Sequence, residues 1–138
     1  MQSIPIISET VETNTRVAMI DVTERVQALV RQRAVQDGFV IVHIPHTTAG
    51  VTVNEHADPD VKHDILQKLE ALVPQMESYY QHDEGNSDAH LKASLMGSSI
   101  TVLIENGRLV LGRWQGIFLC EFDGPRERRM NVKIVSLE

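Results

Sequence analysis

Seven side chains with acid–base or metal-ligating chemistry fall within eleven consecutive positions: His82, Asp83, Glu84, Asn86, Asp88, His90 and Lys92. Gly85 lies inside the group and Gly97 closes the stretch that begins at Tyr80. Solubility alone gives no reason to interleave two histidines with three carboxylates, so this reads as half of a site. His46, at the head of His46-Thr47-Thr48-Ala49-Gly50, is the natural third imidazole. Three neutral imidazoles leave one metal position open, the ligand pattern of a catalytic rather than a structural zinc. The expected metal ligands are therefore His46, His82 and His90, holding a divalent ion, with zinc the first choice.

Carboxylates near these histidines are candidate general acids, bases or orienters of the imidazoles. Glu55, Asp83, Glu84 and Glu121 form that set, while Asp58 reads as a helix cap. His43 reads as a half-buried strand residue, and His56 and His63 as solvated. Phosphate or carboxylate recognition falls to Arg113 and Arg126 through paired N–H donors. Trp114 offers a stacking face. Thr47 and Thr48 add hydroxyls to a loop able to cradle an anion. Arg128 and Arg129, at a strand start, are expected to be solvated or paired with a glutamate.

Composition narrows the partners. The chain has 138 residues, 13 basic against 19 acidic, and a net charge of −6. It lacks the basic footprint of a nucleic-acid binder or a binder of acidic membranes. A small anionic ligand in a local basic pocket remains compatible with that charge. Cys120 is the single cysteine, which excludes an intrachain disulfide and thiolate zinc clusters; in Gly116–Phe122 it reads as a small buried strand residue. The N-terminus shows no basic start followed by an apolar run, and no apolar run approaches the ~20 residues of a membrane span. A cytoplasmic protein is the expectation.

The elements that must hold these residues follow from the pattern. Pro5 demotes residues 2–12 to an edge strand, and Arg16–Ile20 is a second short strand. Asp21 with Glu24 three positions on has the form of a capping box. The helix after it is expected to run to Asp37-Gly38, with Gly38 as the stop. Phe39–Ile44 reads as a central strand, and Val51–Asn54 as another. Asp58-Pro59 marks a helix start whose apolar positions Val61, Ile65, Leu69 and Leu72 continue to Pro74. Asn86 or Ser87 caps a short helix closed by Gly97. Asn106-Gly107 between two apolar runs is a type I′ hairpin turn. Gly116–Phe122 and Arg129–Leu137 supply the last strands. Without strict β-α-β alternation, the sum is a single-domain α+β fold over residues 1–138. Its sheet is expected to be mainly antiparallel, curled and barrel-like, with about three helices packed on it.

Several of these stretches together resemble the YjbQ-like family, whose members carry the label secondary thiamine-phosphate synthase. The matching pieces are His46-Thr47-Thr48-Ala49, Asn54-Glu55, Ala57-Asp58-Pro59, His82-x-Glu84-Gly85-Asn86, Ala89-His90-x-Lys92, Gly112-x-Trp114-Gln115-Gly116-Ile117 with Glu121, and Asp123-Gly124-Pro125-Arg126. The resemblance implies a homotrimer with sites near the subunit interfaces. It also implies a pocket that joins a thiazole phosphate to a pyrimidine pyrophosphate. Asn54, Asn86, Lys92 and Gln115 join Thr47, Thr48, Arg113 and Arg126 as expected contacts to a small phosphorylated molecule. Two other readings use the same residues: a non-catalytic binder of a metal or anion, and a structural trimer with an interface metal.

Overall fold

The computed structural model describes all 138 residues. It is an α+β fold in which every strand pair is antiparallel. The strands are β1 (Gln2–Ser3), β2 (Ile7–Glu12), β3 (Ala18–Asp21), β4 (Asp37–His43), β5 (Ala49–Glu55), β6 (Ser99–Glu105), β7 (Arg108–Leu109), β8 (Gln115–Glu121) and β9 (Glu127–Ser136). The helices are α1 (Thr23–Gln32), α2 (Pro59–Leu72) and α3 (Ser87–Met96). One sheet runs β1-β9-β4-β6-β7, with β2 also paired to β9; the other is β3-β8-β5. The strands form two open sheets rather than one closed barrel.

Strand alternation divides the core in two. On β8, Ile117 and Leu119 enter the main core with Val40, Val42, Val132 and Ile134, whereas Phe118 and Cys120, with Phe122 just past the strand's end, face the opposite side. There they meet Ala89 and Ala93 of α3 and the half-buried Ile65, Leu66 and Leu69 of α2. The small sheet is thus a middle layer between the large sheet and the α2–α3 pair. Cys120 lies fully in this second cluster, and burial pushes its thiol up to about 12, which makes it the inert residue expected of that position.

Asp58 and Pro59 start α2 as expected, the Asp58 side chain accepting from Asp60 N. Asn86 and Gly97 bound α3. Asn106 and Gly107 both have positive φ, as a type I′ turn demands. The first helix departs from expectation at both ends. Its N-cap is Val22, and Asp21 accepts from Thr23 N and Oγ1 at 2.9 and 2.6 Å. It stops at Gln32, with Ala34 at φ 54° turning the chain. Gly38 is not a stop; it lies inside β4 against the Val135 carbonyl.

From Thr52 to Gly85 no residue is fully buried. α2 is instead pinned near its two ends by polar contacts. His56 Nδ1 lies 3.0 Å from Asp21 Oδ2, and Lys92 Nζ lies 2.7 Å from Glu70 Oε2.

Candidate functional site

Two turns, one after β4 and one at the end of α3, converge on a cavity of about 500 Å³ that both His46 and His90 line, with Thr47, Ser94 and Ser98 supplying hydroxyls. Its wall depends on a close approach. A Cβ at Gly50 would stand 2.6 Å from the Gly97 carbonyl oxygen, and Val51 N donates to that same oxygen at 3.0 Å. Gly50→Ala should push the end of α3 away from β5 and cost about 1–3 kcal/mol. Chemical denaturation measures the loss.

His46 owes its orientation to the end of a ladder. β4 pairs with β9 as far as His43 opposite Asn131. Two residues back along β9, Arg129 N donates to His46 Nε2 at 2.9 Å. The Nε2 lone pair is thereby occupied, so the proton of the neutral ring sits on Nδ1. Burial first, then the positive charges of Arg128 and Arg126, hold His46 below its ordinary value against the opposing pull of Glu121. His46 is therefore a neutral ring offering one N–H, not a lone pair. A metal ligand needs the reverse, a free lone pair with the other nitrogen donating.

His82 and His90 behave differently. Their ring centres are 5.5 Å apart with planes at 84°. Two imidazoles on one tetrahedral zinc, bound at about 2.0–2.1 Å, place their ring centres roughly 5 Å apart, so this pair has the spacing of a shared ion. Ser87 and Leu91 line the hollow beside them, and Glu84 Oε2 is 3.5 Å from His82 Nε2. No three His, Cys, Asp or Glu side chains converge into a metal-holding group. His82 and His90 lie beside one another, whereas His46 turns its Nε2 to Arg129 N.

Several other expected site residues are committed elsewhere. Glu121 is fully buried, accepting from Arg128, from Thr13 Oγ1 at 2.7 Å, and from the N–H groups of Phe122 and Asp123. Burial alone would raise its carboxyl, but these donors outweigh it and hold the group below its ordinary value. It is a positioning residue: Arg128 Nη2, held by Glu121, donates to Thr48 Oγ1 at 2.8 Å. Thr48 is buried in that contact and leaves Thr47 as the threonine at the cavity. Lys92, expected to hold phosphate, is 1% exposed with its ammonium on Asp88 at 2.8 Å and Glu70 at 2.7 Å. Asp88 also receives the Arg16 guanidinium at 2.9 and 3.2 Å.

Asn86 donates to Asp123 Oδ2 at 2.8 Å while its Oδ1 is buried without a partner. Arg126, half exposed, pairs with the same Asp123 and acts on His46 electrostatically. Asp83 is exposed.

Asn54, Glu55, Arg113 and Gln115 do not join this group. Ala49 pairs with Glu121 at one end of the β5–β8 ladder and Glu55 with Gln115 at the other, six rises of ~3.3 Å, or about 20 Å, away. Asn54 Oδ1 accepts from Glu55 N at 2.7 Å, Gln115 Oε1 accepts from Gly112 N at 2.7 Å, and the Arg113 guanidinium stacks 4.6 Å from the Trp114 ring centre. The residues expected in one pocket thus occupy two ends of one strand.

A family model described as "UPF0047 protein YjbQ-like" matches residues 8–137. The chain belongs to this family. The UPF0047 protein MJ1081 of Methanocaldococcus jannaschii is 49% identical over 126 residues, covering 91% of each chain. YugU of Bacillus subtilis, another UPF0047 protein, is 46% identical, covering 91% of this chain and 96% of its own. Among solved structures, a YjbQ/UPF0047 protein of Clostridium acetobutylicum superposes with TM-score 0.91 at 52% identity, over 94% of this chain and 99% of its own. A protein of unknown function from Sulfolobus solfataricus P2 reaches TM-score 0.92 at 31% identity, over 98% of both chains.

The UPF0047 match covers both clusters and the buried pairs between them. Some functional groups escaped the sequence reading. Ser94 and Ser98 carry no motif. Arg128, expected to be solvated or paired with a glutamate, pairs with Glu121 and is buried, in line with the inward parity it shares with Met130, Val132 and Ile134 on β9. Asp21 and His56, read as a cap and a solvated residue, form a pair.

Proposed function

We propose that the cavity between His46 and His90 is the active site of a small enzyme acting on a phosphorylated small molecule. The observation that supports this most is the pairing of roles on one cavity. His46 offers a fixed N–H donor in a locally positive setting, and His90 lines the same space with the imidazole that would hold an ion. Thr47, Ser94 and Ser98 would add hydroxyl donors to a phosphate. The thiamine-phosphate synthase reaction implied by the family resemblance is the first chemistry to assay, in a cytoplasmic homotrimer whose size sedimentation would measure. A divalent ion, zinc first, would be held by His82 and His90 and would neutralise charge on a departing pyrophosphate. The chain's own work would be to orient the phosphate through His46 and to hold the ion through His82 and His90.

The binding test uses zinc and inorganic pyrophosphate separately, by calorimetry. His46→Ala should weaken pyrophosphate binding by about tenfold, the value of one charge-assisted hydrogen bond, and leave zinc binding unchanged. His90→Ala should lose zinc. If His46→Ala loses zinc and keeps pyrophosphate, the assignment of His46 is wrong. If neither variant changes either ligand, the whole reading falls.

A second reading, a non-catalytic metal- or anion-binding trimer, draws on the exposure of Asp83 and Glu84. Neither carboxylate lines the cavity. Turnover of a phosphorylated substrate that His90→Ala abolishes would decide for the enzyme.

A further inference from the structure

At the far end of β5, His56 sits over Gly116, and a Cβ at that glycine would stand 2.5 Å from Nδ1 and 2.7 Å from Cγ of the ring. The imidazole therefore occupies space that only a glycine leaves. His56 Nδ1 lies 3.0 Å from Asp21 Oδ2. The other Asp21 oxygen accepts from Thr23 N and Thr23 Oγ1, and that hydroxyl in turn accepts from Ile117 N at 2.8 Å. Burial would raise the Asp21 carboxyl, but the hydrogen bonds from Thr23 and His56 outweigh it and keep it ionised. A chain of fixed donors from the β8 backbone thus holds a carboxylate, and the carboxylate holds the proton of His56 on Nδ1. Nε2 is left with its lone pair, in the arrangement that prepares a histidine to accept a proton.

The surroundings are those of a small site. Asp21, Glu55, His56, Asp58 and Lys62 line a cavity of about 220 Å³ with Phe118 in its wall. Asp58 is occupied capping α2, and Glu55 Oε2 accepts from Asp58 N at 3.1 Å. Three carboxylates against one ammonium disfavour a phosphate, so this cavity and the one at His46 suit opposite ligands.

We propose that His56 and Asp21 form a second acid–base site, independent of the His46–His90 cavity, that takes small neutral or cationic acyl compounds. His56 Nε2 removes a proton from water, the hydroxyl oxygen bonds to the acyl carbon, and the ester C–O bond breaks with the alcohol or phenolate leaving. The imidazolium then gives its proton to a departing alkoxide, which leaves as the alcohol, or, where a phenolate leaves, returns it to solvent. Asp21 is the positioning residue that fixes the tautomer and balances the imidazolium charge.

The probe is p-nitrophenyl acetate, a neutral ester of suitable size, with the full chain. His56→Gln should lower the hydrolysis rate by about 10²-fold, the lower end of what a positioned base contributes, while His63→Gln, an exposed histidine paired only with its neighbour Asp64, leaves it unchanged. Long-range ¹H–¹⁵N spectra of the wild-type protein should show His56 protonated on Nδ1. Asp21→Asn should redistribute the proton between the two nitrogens and reduce the rate. Equal rates for wild type and His56→Gln, or a wild-type His56 protonated on Nε2, would overturn the proposal. The spectra need no variant to fold.

Discussion

Arg128→Ala will lower the unfolding free energy by about 3–5 kcal/mol at neutral pH, the cost of leaving a buried charge without its partner. Glu121 is fully buried and Arg128 is 3% exposed, so water cannot replace the lost guanidinium. The loss also has a pH signature. In the wild type the Glu121 carboxyl is held below its reference value of 4.5. A depressed carboxyl contributes stability above its unfolded value, and that contribution fades as pH falls through the folded value. In the variant, burial without Arg128 favours the neutral acid, so acid relieves the strain. The gap between the two proteins should be widest near pH 7; it should begin to narrow above pH 4.5, where the variant's buried carboxyl takes up its proton, and go on narrowing below 4.5 until the wild-type carboxyl does the same. Urea denaturation across pH measures it. A gap independent of pH would mean that the loss is one of packing volume and that the ion pair contributes little. Because Arg128 also holds Thr48 beside the turn that carries His46, pyrophosphate binding should weaken in the same variant.

Lys92→Met will cost about 3 kcal/mol, the lower end for a broken buried pair, because Asp88 keeps the Arg16 guanidinium at 2.9 Å. Methionine retains most of the buried stem, so the change isolates the ammonium. Its effect should extend beyond stability. Lys92 is the contact that ties α3 to Glu70 of α2, and the segment following α2 delivers His82 to His90. Zinc affinity should therefore fall together with stability, even though Lys92 touches no ligand position. Calorimetry with zinc alone tests this. A fully destabilised variant with unchanged zinc affinity would show that α2 does not position His82.

Much of the fold was legible because it follows from local chemistry. Asp58-Pro59, Gly97 and Asn106-Gly107 each mark an element end through a cap or turn preference that tertiary context leaves intact; Asn86 marks the start of α3 although its side chain goes to Asp123 instead of capping. The first helix was misjudged because Asp21 does two jobs. Its side chain can accept from a helix start, but it also orients His56 from a different part of the chain, and only the folded chain brings the two together. Gly38 misled for a similar reason: a glycine after a helical pattern suggests a stop, whereas here it lets β9 pass close to β4.

The candidate site was legible in its histidines and less so in its charges. His90 lies between the other two histidines, with His82 near the start of α3 and His46 on the cavity lined by its last turn. Lys92 reads as a ligand contact and Glu121 as an acid, base or orienter because a charge near a histidine suggests function. Both turned inward, where each serves another charge. Position on the element held the answer: Lys92 lies one turn from Asp88 on the α3 face that also buries Ala89 and Ala93. The split between His46 and Glu55 was hidden by sequence proximity, since a fully extended strand carries residues apart fastest.

The stretch from Thr52 to Gly85, with no fully buried residue, has a consequence for the order in which the molecule comes apart. Free energies of local opening track buried contacts, so amide exchange here should proceed by sub-global opening while β4, β8 and β9 stay protected. His82 rides on the segment that opens and His90 on α3, with Ala89 and Ala93 in the core. The two rings can separate without global unfolding, and a ligand bridging them would slow proteolysis within 73–85 in proportion to its occupancy.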